Sequence, residues 1–338
     1  MKEPVKNTDL EKRIFAASGA DFVLLALDLF RFQYQYNVIY RRYCDALKVD
    51  PAKVDALHSI PFMPISFFKT HEVKTTGFEP EIIFESSGTT GSVSSRHFVK
   101  DLSLYRKSFN TCFEKFYGAA QQKCILGLLP SYLEREHSSL VMMADELIKA
   151  SGNELSGFYL YDHEKLHRTL LHNEIRKLPT LLIGVTYALL DFAEKFPMQL
   201  RNTIIMETGG MKGIRDEMTR QQVHAVLQEQ LGVDLVHSEY GMTELLSQAY
   251  SKGDGIFHCG PTMKVLIREE DDPLHVIQPD ENMERPVSGA INIIDLANIY
   301  SCSFIATDDA GRLYSNGSFE VLGRLDNSDI RGCSLMAI

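Results

Sequence analysis

The sequence predicts an α/β fold: a large unit of mostly parallel sheet with crossover helices, closed by a small β subdomain. Two observations predict it. Between residues 81 and 240, short apolar runs of strand length alternate with longer helical patterns, as parallel strands joined by crossover helices require. After residue 255 the pattern changes to closely spaced strand-like segments joined by tight turns, which reads as a smaller antiparallel sheet or barrel.

The strand-like runs of the first part are EIIFE at 81–85, CILGLL at 124–129, LLIGV at 181–185, NTIIME at 202–207 and VDLVHSEY at 233–240. Helical patterns at 138–150 and 215–231 lie between them. In the second part MKVLIRE, GAINIIDL, SFIATDDAGRLY and FEVLGRLD read as strands. Ahead of both, FVLLALDLFRFQYQYNVIYRRYCDALKV carries apolar and aromatic residues at helical spacing, and Pro61 and Pro64 then impose an irregular, extended connection. The expected organisation is a helical segment at 1–60, an α/β core at 61–255, and the small β subdomain with a tail at 256–338.

Bulk properties narrow the function. The 338 residues are 44% hydrophobic and 24% charged, ordinary for a folded chain long enough to bury an extensive core. With 45 acidic against 35 basic residues the net charge is -10, which argues against a general nucleic-acid binder but not against a nucleotide site. The N-terminus has no apolar core of a signal peptide. The most apolar run, 181–193, is too short to span a bilayer, is interrupted by Asp191, and reads as a buried helix, although its first five residues also read as strand. Cysteines at 44, 112, 124, 259, 302 and 333 show no C-x-x-C and no metal spacing, so a reducing, cytoplasmic setting is expected.

The strongest local signal is Ser86-Ser87-Gly88-Thr89-Thr90-Gly91, after the EIIFE strand and before an expected helix. Six small residues, four of them hydroxylic, let backbone N–H and side-chain O–H groups surround an anion such as phosphate. No Walker sequence occurs. Downstream follow Glu239-Tyr240-Gly241-Met242-Thr243-Glu244, then Thr307-Asp308, then Gly323-Arg324-Leu325-Asp326 and Arg331-Gly332.

These elements, in this order, resemble the motifs of the adenylate-forming superfamily. Within it the chain is most similar to the acyl-protein synthetase component of bacterial luciferase fatty-acid reductase, and more distantly to phenylacetate–CoA ligases. The residues that carry the likeness are IPFMPISFFKTHEV at 60–73, the SSGTTG loop, LLPSYLEREHSSLVMM at 128–143, ETGGMKG at 207–213, SEYGMTE, and the terminal GRLDNSDIRGCSL. The resemblance covers Pro61 to the end and is weak before it.

The resemblance implies ATP and Mg²⁺ as cofactors and a two-step reaction, in which a carboxylic acid, a fatty acid before an aromatic one, becomes an acyl-adenylate and then passes to a thiol. It implies Glu244 as the Mg²⁺ ligand and Thr243 as a hydroxyl donor to the α-phosphate. Tyr240, Gly241, Gly209 and Gly210 would lie at the adenine, Asp308 at the ribose hydroxyls, and Arg324 at ribose or phosphate. His137 would line the acyl pocket. Cys333 would accept the acyl group, beside Arg331, which favours a thiolate. An acyl-carrier protein or a reductase is the implied partner. Two departures stand out. The loop continues as SVSSRHF, so the usual lysine is missing and Arg96 is the only cation nearby in sequence. The chain stops at Ile338, so the small C-terminal lid of longer relatives, with its lysine, is expected to be absent, as it is in acyl-protein synthetases. Two other readings remain open: an acyltransferase that uses no ATP, and a non-catalytic module that binds acyl chains or nucleotide.

Overall fold

The computed structural model describes residues 8–16, 19–86, 93–130, 135–209, 218–278 and 285–325. Parallel strands Cys124–Leu128, Thr180–Val185, Thr203–Thr208 and Val236–Tyr240 lie side by side, with the short strand Gly157–Phe158 at the edge. The sheet does not stop there. Ala249–Ser251 pairs antiparallel with Val236–Tyr240, and Phe257–Cys259 pairs with Ala249–Ser251 and, at Phe257, with Phe319–Arg324. Phe304–Leu313, Val287–Asp295, Met263–Arg268 and Val276–Ile277 continue the same path outward, all antiparallel. Strands that reach full burial on both faces are apolar almost throughout, as in TLLIGV, which explains why their sequences show no alternation.

Two apolar cores hold this sheet. The first packs the parallel strands against the helices Leu102–Tyr117, Ser139–Ser151, His163–Arg176, Thr186–Lys195 and Arg220–Leu231. The second packs the antiparallel strands against the N-terminal helices Thr8–Ala16, Phe22–Tyr36 and Val38–Ala46, with Tyr40 stacked on Phe304 at 5.9 Å. The long N-terminal helical run divides at Asn37. Its side chain accepts from the Tyr40 amide at 2.9 Å, capping the next helix, and donates to the Ser301 carbonyl at 3.0 Å. One turn earlier, Gln33 donates to the Asn298 and Ile299 carbonyls and accepts from the Ser303 amide. These helices therefore grip the turn at 296–303.

Two expectations change in detail. The apolar run at 181–193 is a strand to Val185 and a helix from Thr186, because LLIGV is strand-forming and the following Ala, Leu and Phe return at helical spacing. EIIFE does not join the parallel sheet. Ile82–Glu85 pairs antiparallel with Arg96–Val99 in a separate two-stranded ribbon, Glu85 opposite Arg96. A returning strand thus stands where a helix was expected, and the next helix begins only after Asp101, whose side chain caps it at the Ser103 amide. The stretch VSSRHFV carries two valines and a phenylalanine and only Arg96 as a good helix former, so Arg96–Val99 extends as a strand where a helix was expected.

The chain crosses from one core to the other between Tyr240 and Tyr250: Leu245 lies in the second core and Leu246 in the first. A buried carboxylate fixes this crossing. Asp295 accepts from the Leu246 amide at 2.7 Å, the Ser247 amide at 3.1 Å, the Ala297 amide at 3.0 Å and the Ser247 hydroxyl at 2.6 Å. Ser247 and Thr262 continue the network to Ser108 on the helix Leu102–Tyr117. Burial pushes the Asp295 carboxyl up to about 6 even with those donors. Asp295→Asn turns one acceptor into an N–H group facing N–H and O–H donors, so we expect it to lower unfolding free energy by roughly 2–4 kcal/mol. Urea denaturation measures the loss; an unchanged midpoint would show that the crossing is held some other way.

Candidate active site

The site is assembled where the hairpin, the crossing segment and the antiparallel sheet meet. Ser86 and Ser95 close the base of the hairpin loop: the Ser86 amide donates to the Ser95 carbonyl at 3.1 Å, and the Ser95 amide to the Ser86 hydroxyl at 2.9 Å. From the loop's exit the Ser95 hydroxyl also favours the ionised Glu244 carboxyl by hydrogen bonding to it. Ser86 and Glu244 are thereby brought to one place. The loop residues Ser87, Gly88, Thr89, Thr90 and Gly91 lie outside the described residues, as do Gly210 and Cys333.

Two residues later in the hairpin, His97 is fully enclosed. Its Nδ1 lies 2.9 Å from the Thr243 carbonyl and its Nε2 3.0 Å from Asn298 Oδ1. Asn298 in turn donates from Nδ2 to the Glu244 carbonyl at 2.8 Å and the Cys302 carbonyl at 3.0 Å. Burial pushes the His97 imidazole down to about 4, so at neutral pH the ring carries a single N–H and donates to one of these two oxygens. The backbone of Thr243 and Glu244 is therefore set by the hairpin on one side and the 296–303 turn on the other.

Glu244 itself is 6% exposed. Burial raises its carboxyl above the usual range, against the Ser95 hydrogen bond and the positive fields of Lys69 and Arg324. Among the described residues it makes no ion pair within 4 Å, and no cluster of three or more His, Cys, Asp or Glu side chains gathers round it. A single hard oxygen donor of this kind fits Mg²⁺, which takes one or two protein carboxylates and keeps waters and substrate oxygens for the rest. It does not fit a structural zinc site.

Asp308 and Arg324 complete the rim. Asp308 is exposed on Phe304–Leu313, its carbonyl accepting from the Leu325 amide at 2.7 Å, and Arg324 is exposed opposite Asp309. Thr307, just before them, is buried and held by the guanidinium of Arg268, which donates to its carbonyl at 2.6 Å. Tyr240 stands deeper. Its ring packs on Phe257 and Phe319 at 5.8 and 5.5 Å, its hydroxyl donates to Asp309 at 2.8 Å, and 9% of the residue stays exposed.

Gly209 and Gly241 sit at the carboxyl ends of the parallel strands, where ligands of α/β sheets bind. Gly209 has φ +76°, a left-handed conformation that favours glycine, and its carbonyl accepts from the Thr186 hydroxyl at 3.1 Å. At Gly241 a Cβ would stand 2.5 Å from Glu239 Oε1, so a larger residue would displace that carboxyl. His137 lies to one side. It flanks the first hairpin strand, donating from Nδ1 to the Ile83 carbonyl at 3.0 Å and accepting at its own carbonyl from Glu85 at 2.8 Å. The structure thus brings Ser86, by way of Ser95, to Glu244, with the charge of Arg324 acting on that carboxyl, and sets His137 beside the two-stranded ribbon; Asp308 lies on the strand paired with the one that ends at Arg324. His97, Asn298, Ser95 and Asp295 belong to the same arrangement and have no local sequence signature. Only their hydrogen bonds across the fold mark them.

The fold is shared with solved ligases. The chain superposes on 2-hydroxyisobutyryl-CoA ligase, in an open conformation with 2-HIB-AMP and CoA, with a TM-score of 0.61 at 12% identity over 98% of this chain and 82% of that one. ATP-bound MatB from Rhodopseudomonas palustris gives 0.53 at 17% identity over 74% and 50%. Likeness at this identity establishes the fold. The family follows from the sequence: the profile described as acyl-protein synthetase, LuxE, matches residues 19–337, and the chain belongs to that family. A 68-residue stretch is also 43% identical to the long-chain-fatty-acid–luciferin-component ligase of Photorhabdus luminescens, covering 20% of this chain and 58% of that protein. The match spans little more than half of that relative. No helix among the described residues is long and apolar enough to cross a membrane.

Glu239, the residue before Tyr240, is a titration probe within the site. Burial pushes its carboxyl up to about 7, against the Thr208 hydroxyl that donates to it at 2.6 Å. A carboxyl raised in the folded state favours folding below its unfolded value and loses that contribution as pH rises through the folded one. We therefore expect Glu239→Gln to gain roughly 1–3 kcal/mol of stability at pH 8 relative to the parent, and little at pH 4.5. Urea unfolding at the two pH values checks it; a pH-independent difference would mean that Glu239 stays ionised.

Proposed function

We propose that this chain activates a carboxylic acid with ATP as an acyl-adenylate and passes the acyl group to a protein thiol. The observation that carries the reading is the approach to Glu244 of the loop-closing Ser86 and Ser95 from the hairpin, with the charge of Arg324 acting on it from the antiparallel sheet. Support for the chemistry comes from the family and from relatives whose descriptions carry ATP, an acyl-adenylate and ligase activity. The name of the Photorhabdus relative favours a long-chain fatty acid as substrate, and a reductase is the downstream partner we assign from the resemblance. The thiol acceptor we assign is Cys333, with a carrier-protein thiol as the other acceptor, and cytoplasm as the setting.

On this reading a substrate carboxylate oxygen attacks the α-phosphorus of ATP. The new O–P bond replaces the bond to pyrophosphate, which leaves with the electron pair. Ser86 to Gly91 supply N–H and O–H donors to phosphate oxygens, Thr243 donates to the α-phosphate, and Asp308 accepts from ribose hydroxyls. Tyr240 and the Gly209, Gly210 and Gly241 backbones border the adenine. Mg²⁺, held by Glu244, would neutralise the phosphate charge that grows as the bond forms. A thiolate then attacks the acyl carbonyl, and AMP departs with the carboxylate–phosphate oxygen. His137, next to the hairpin, lines the way to the acyl chain.

Acid-dependent ATP–pyrophosphate exchange tests the first half-reaction. Glu244→Gln keeps the side chain's shape but removes its charge, and we expect exchange to fall by roughly 10²-fold or more. Exchange at the parent rate would remove Glu244 from the metal's coordination. Intact mass tests the second half: incubation with Mg²⁺, ATP and fatty acids should add one acyl unit, and Cys333→Ser should abolish the gain. Acylation that persists in the variant would place the acceptor elsewhere.

A further inference from the structure

The strand that carries Thr307 and Asp308 departs from regular pairing at those residues. Against Val287–Asp295 it sets Ala306 opposite Asn292 and Ala310 opposite Ala290, so Ile291 alone faces Thr307, Asp308 and Asp309. This is a β-bulge, and a bulge bends its strand and re-aims the side chains on it. The re-aimed residue is Asp308, exposed between the buried Thr307 and the buried Asp309. An interrupted ladder also leaves backbone groups that need other partners, and a buried one is costly without them.

Arg268 supplies such partners from two strands away. It ends Met263–Arg268, on the far side of Val287–Asp295, and its guanidinium reaches across that strand. Nη1 donates to the Ile291 carbonyl and to Asn292 Oδ1, both at 2.8 Å, and Nη2 to the Thr307 carbonyl at 2.6 Å. One planar fork thus joins the two strands where their ladder is broken. The Thr307 hydroxyl completes the brace, donating to the Ile291 carbonyl at 2.9 Å and accepting from the Asp309 amide at 3.2 Å. The arrangement is costly. Arg268 is 7% exposed and makes no ion pair within 4 Å among the described residues, and the enclosed Asn292 keeps its Nδ2 without a hydrogen-bond partner. Burial lowers the guanidinium from its usual value, and the negative field of Asp308 acts the other way. A buried cation without a counter-ion persists where its hydrogen bonds are needed.

We propose that Arg268 is a positioning residue of this site: by holding the Ile291 and Thr307 carbonyls it fixes the bulge that turns Asp308 toward the ribose hydroxyls of ATP. The inference rests on the adenylation reading, in which Asp308 accepts from those hydroxyls. Arg268 touches neither the nucleotide nor the reacting atoms, and it transfers no proton. Its effect reaches the ligand only through the Thr307–Asp308 peptide, so it bears on recognition of the sugar and leaves the phosphates to other residues. A lysine does not replace it, because an ammonium is a point charge on a flexible stem and sets no plane.

The test uses the full chain with Arg268→Met, Arg268→Lys and Asp308→Ala, and measures binding of ATP and of 2′,3′-dideoxy-ATP by calorimetry with Mg²⁺ present. The parent should bind ATP about tenfold or more tighter than the dideoxy compound, as hydrogen bonds to a carboxylate require, and Asp308→Ala should abolish that preference. In both Arg268 variants the preference should fall to within about threefold through weaker ATP binding, while dideoxy-ATP binds as it does to the parent. Arg268→Lys keeps the buried charge, so it carries the test should Arg268→Met fail to fold. A parent-sized preference in Arg268→Lys would overturn the role of Arg268 and leave adenylation standing. Equal weakening of both nucleotides would also overturn it, by showing a general loss of structure. A parent that binds both nucleotides alike would overturn the ribose role of Asp308 and the inference with it. A parent that binds neither would overturn the adenylation reading as well.

Discussion

The position of the Thr243–Glu244 backbone depends on Asp295. The chain has to pass from one apolar core to the other just after Glu244, with Leu245 and Leu246 pointing into opposite cores. Such a crossing leaves the strand ladder, so the Leu246 and Ser247 amides lack backbone partners, and a buried amide without a partner is costly. Asp295 supplies acceptors to three amides and a hydroxyl at once. The cost of burying a carboxylate is offset by donors that would otherwise be unsatisfied, and the crossing gains a single conformation. His97 and Asn298 extend the same logic by one turn, within hydrogen-bonding distance of the Thr243 and Glu244 carbonyls.

A common electrostatic pattern follows from that placement. Glu244, Glu239 and Asp309 are all raised by burial, and each is only partly relieved by a hydroxyl donor. The cations Lys69 and Arg324 stay exposed at the rim and act on Glu244 from outside. A buried carboxylate that lacks an ion-pair partner has an ionised form stabilised by any cation that arrives with a ligand. On the proposed reading, metal and nucleotide then bind cooperatively, because each brings the charge that the other's neighbours lack.

Much of this was legible in the sequence, for an identifiable reason. Strand length, helical spacing and the order of the motifs are local, and the parallel strands at 124–128, 180–185, 203–208 and 236–240 appear within a few residues of where their apolar runs place them. The errors were also local in origin. A loop that follows a strand was assigned to a helix start, while the β-prone VSSRHFV after it forms the return strand of a hairpin. What sequence reading could not supply was pairing across the fold. Arg96 is the cation closest in sequence to the loop, yet it lies on Phe98; Lys69, distant in sequence, acts on Glu244. Nothing in RHF or DLANIY sets His97 or Asn298 apart from an ordinary strand or turn residue until their hydrogen bonds are seen.

The N-terminal helices show how far the site's support extends. Their sequence carries the family resemblance only weakly, yet the family profile begins at residue 19 and includes two of them, Phe22–Tyr36 and Val38–Ala46. The physical reason lies in Gln33 and Asn37. Gln33 binds the Asn298 and Ile299 carbonyls and the Ser303 amide, and Asn37 binds the Ser301 carbonyl, so the two side chains clamp the turn from which Asn298 reaches the Glu244 backbone. A polar side chain buried on an otherwise apolar helix face is tolerated only where its partners are fixed, and here those partners are main-chain atoms of the site's own support. Amphipathic spacing is what the rest of the helix needs, and many sequences provide it. The two amides are what the site needs, and they are too few to register as a resemblance.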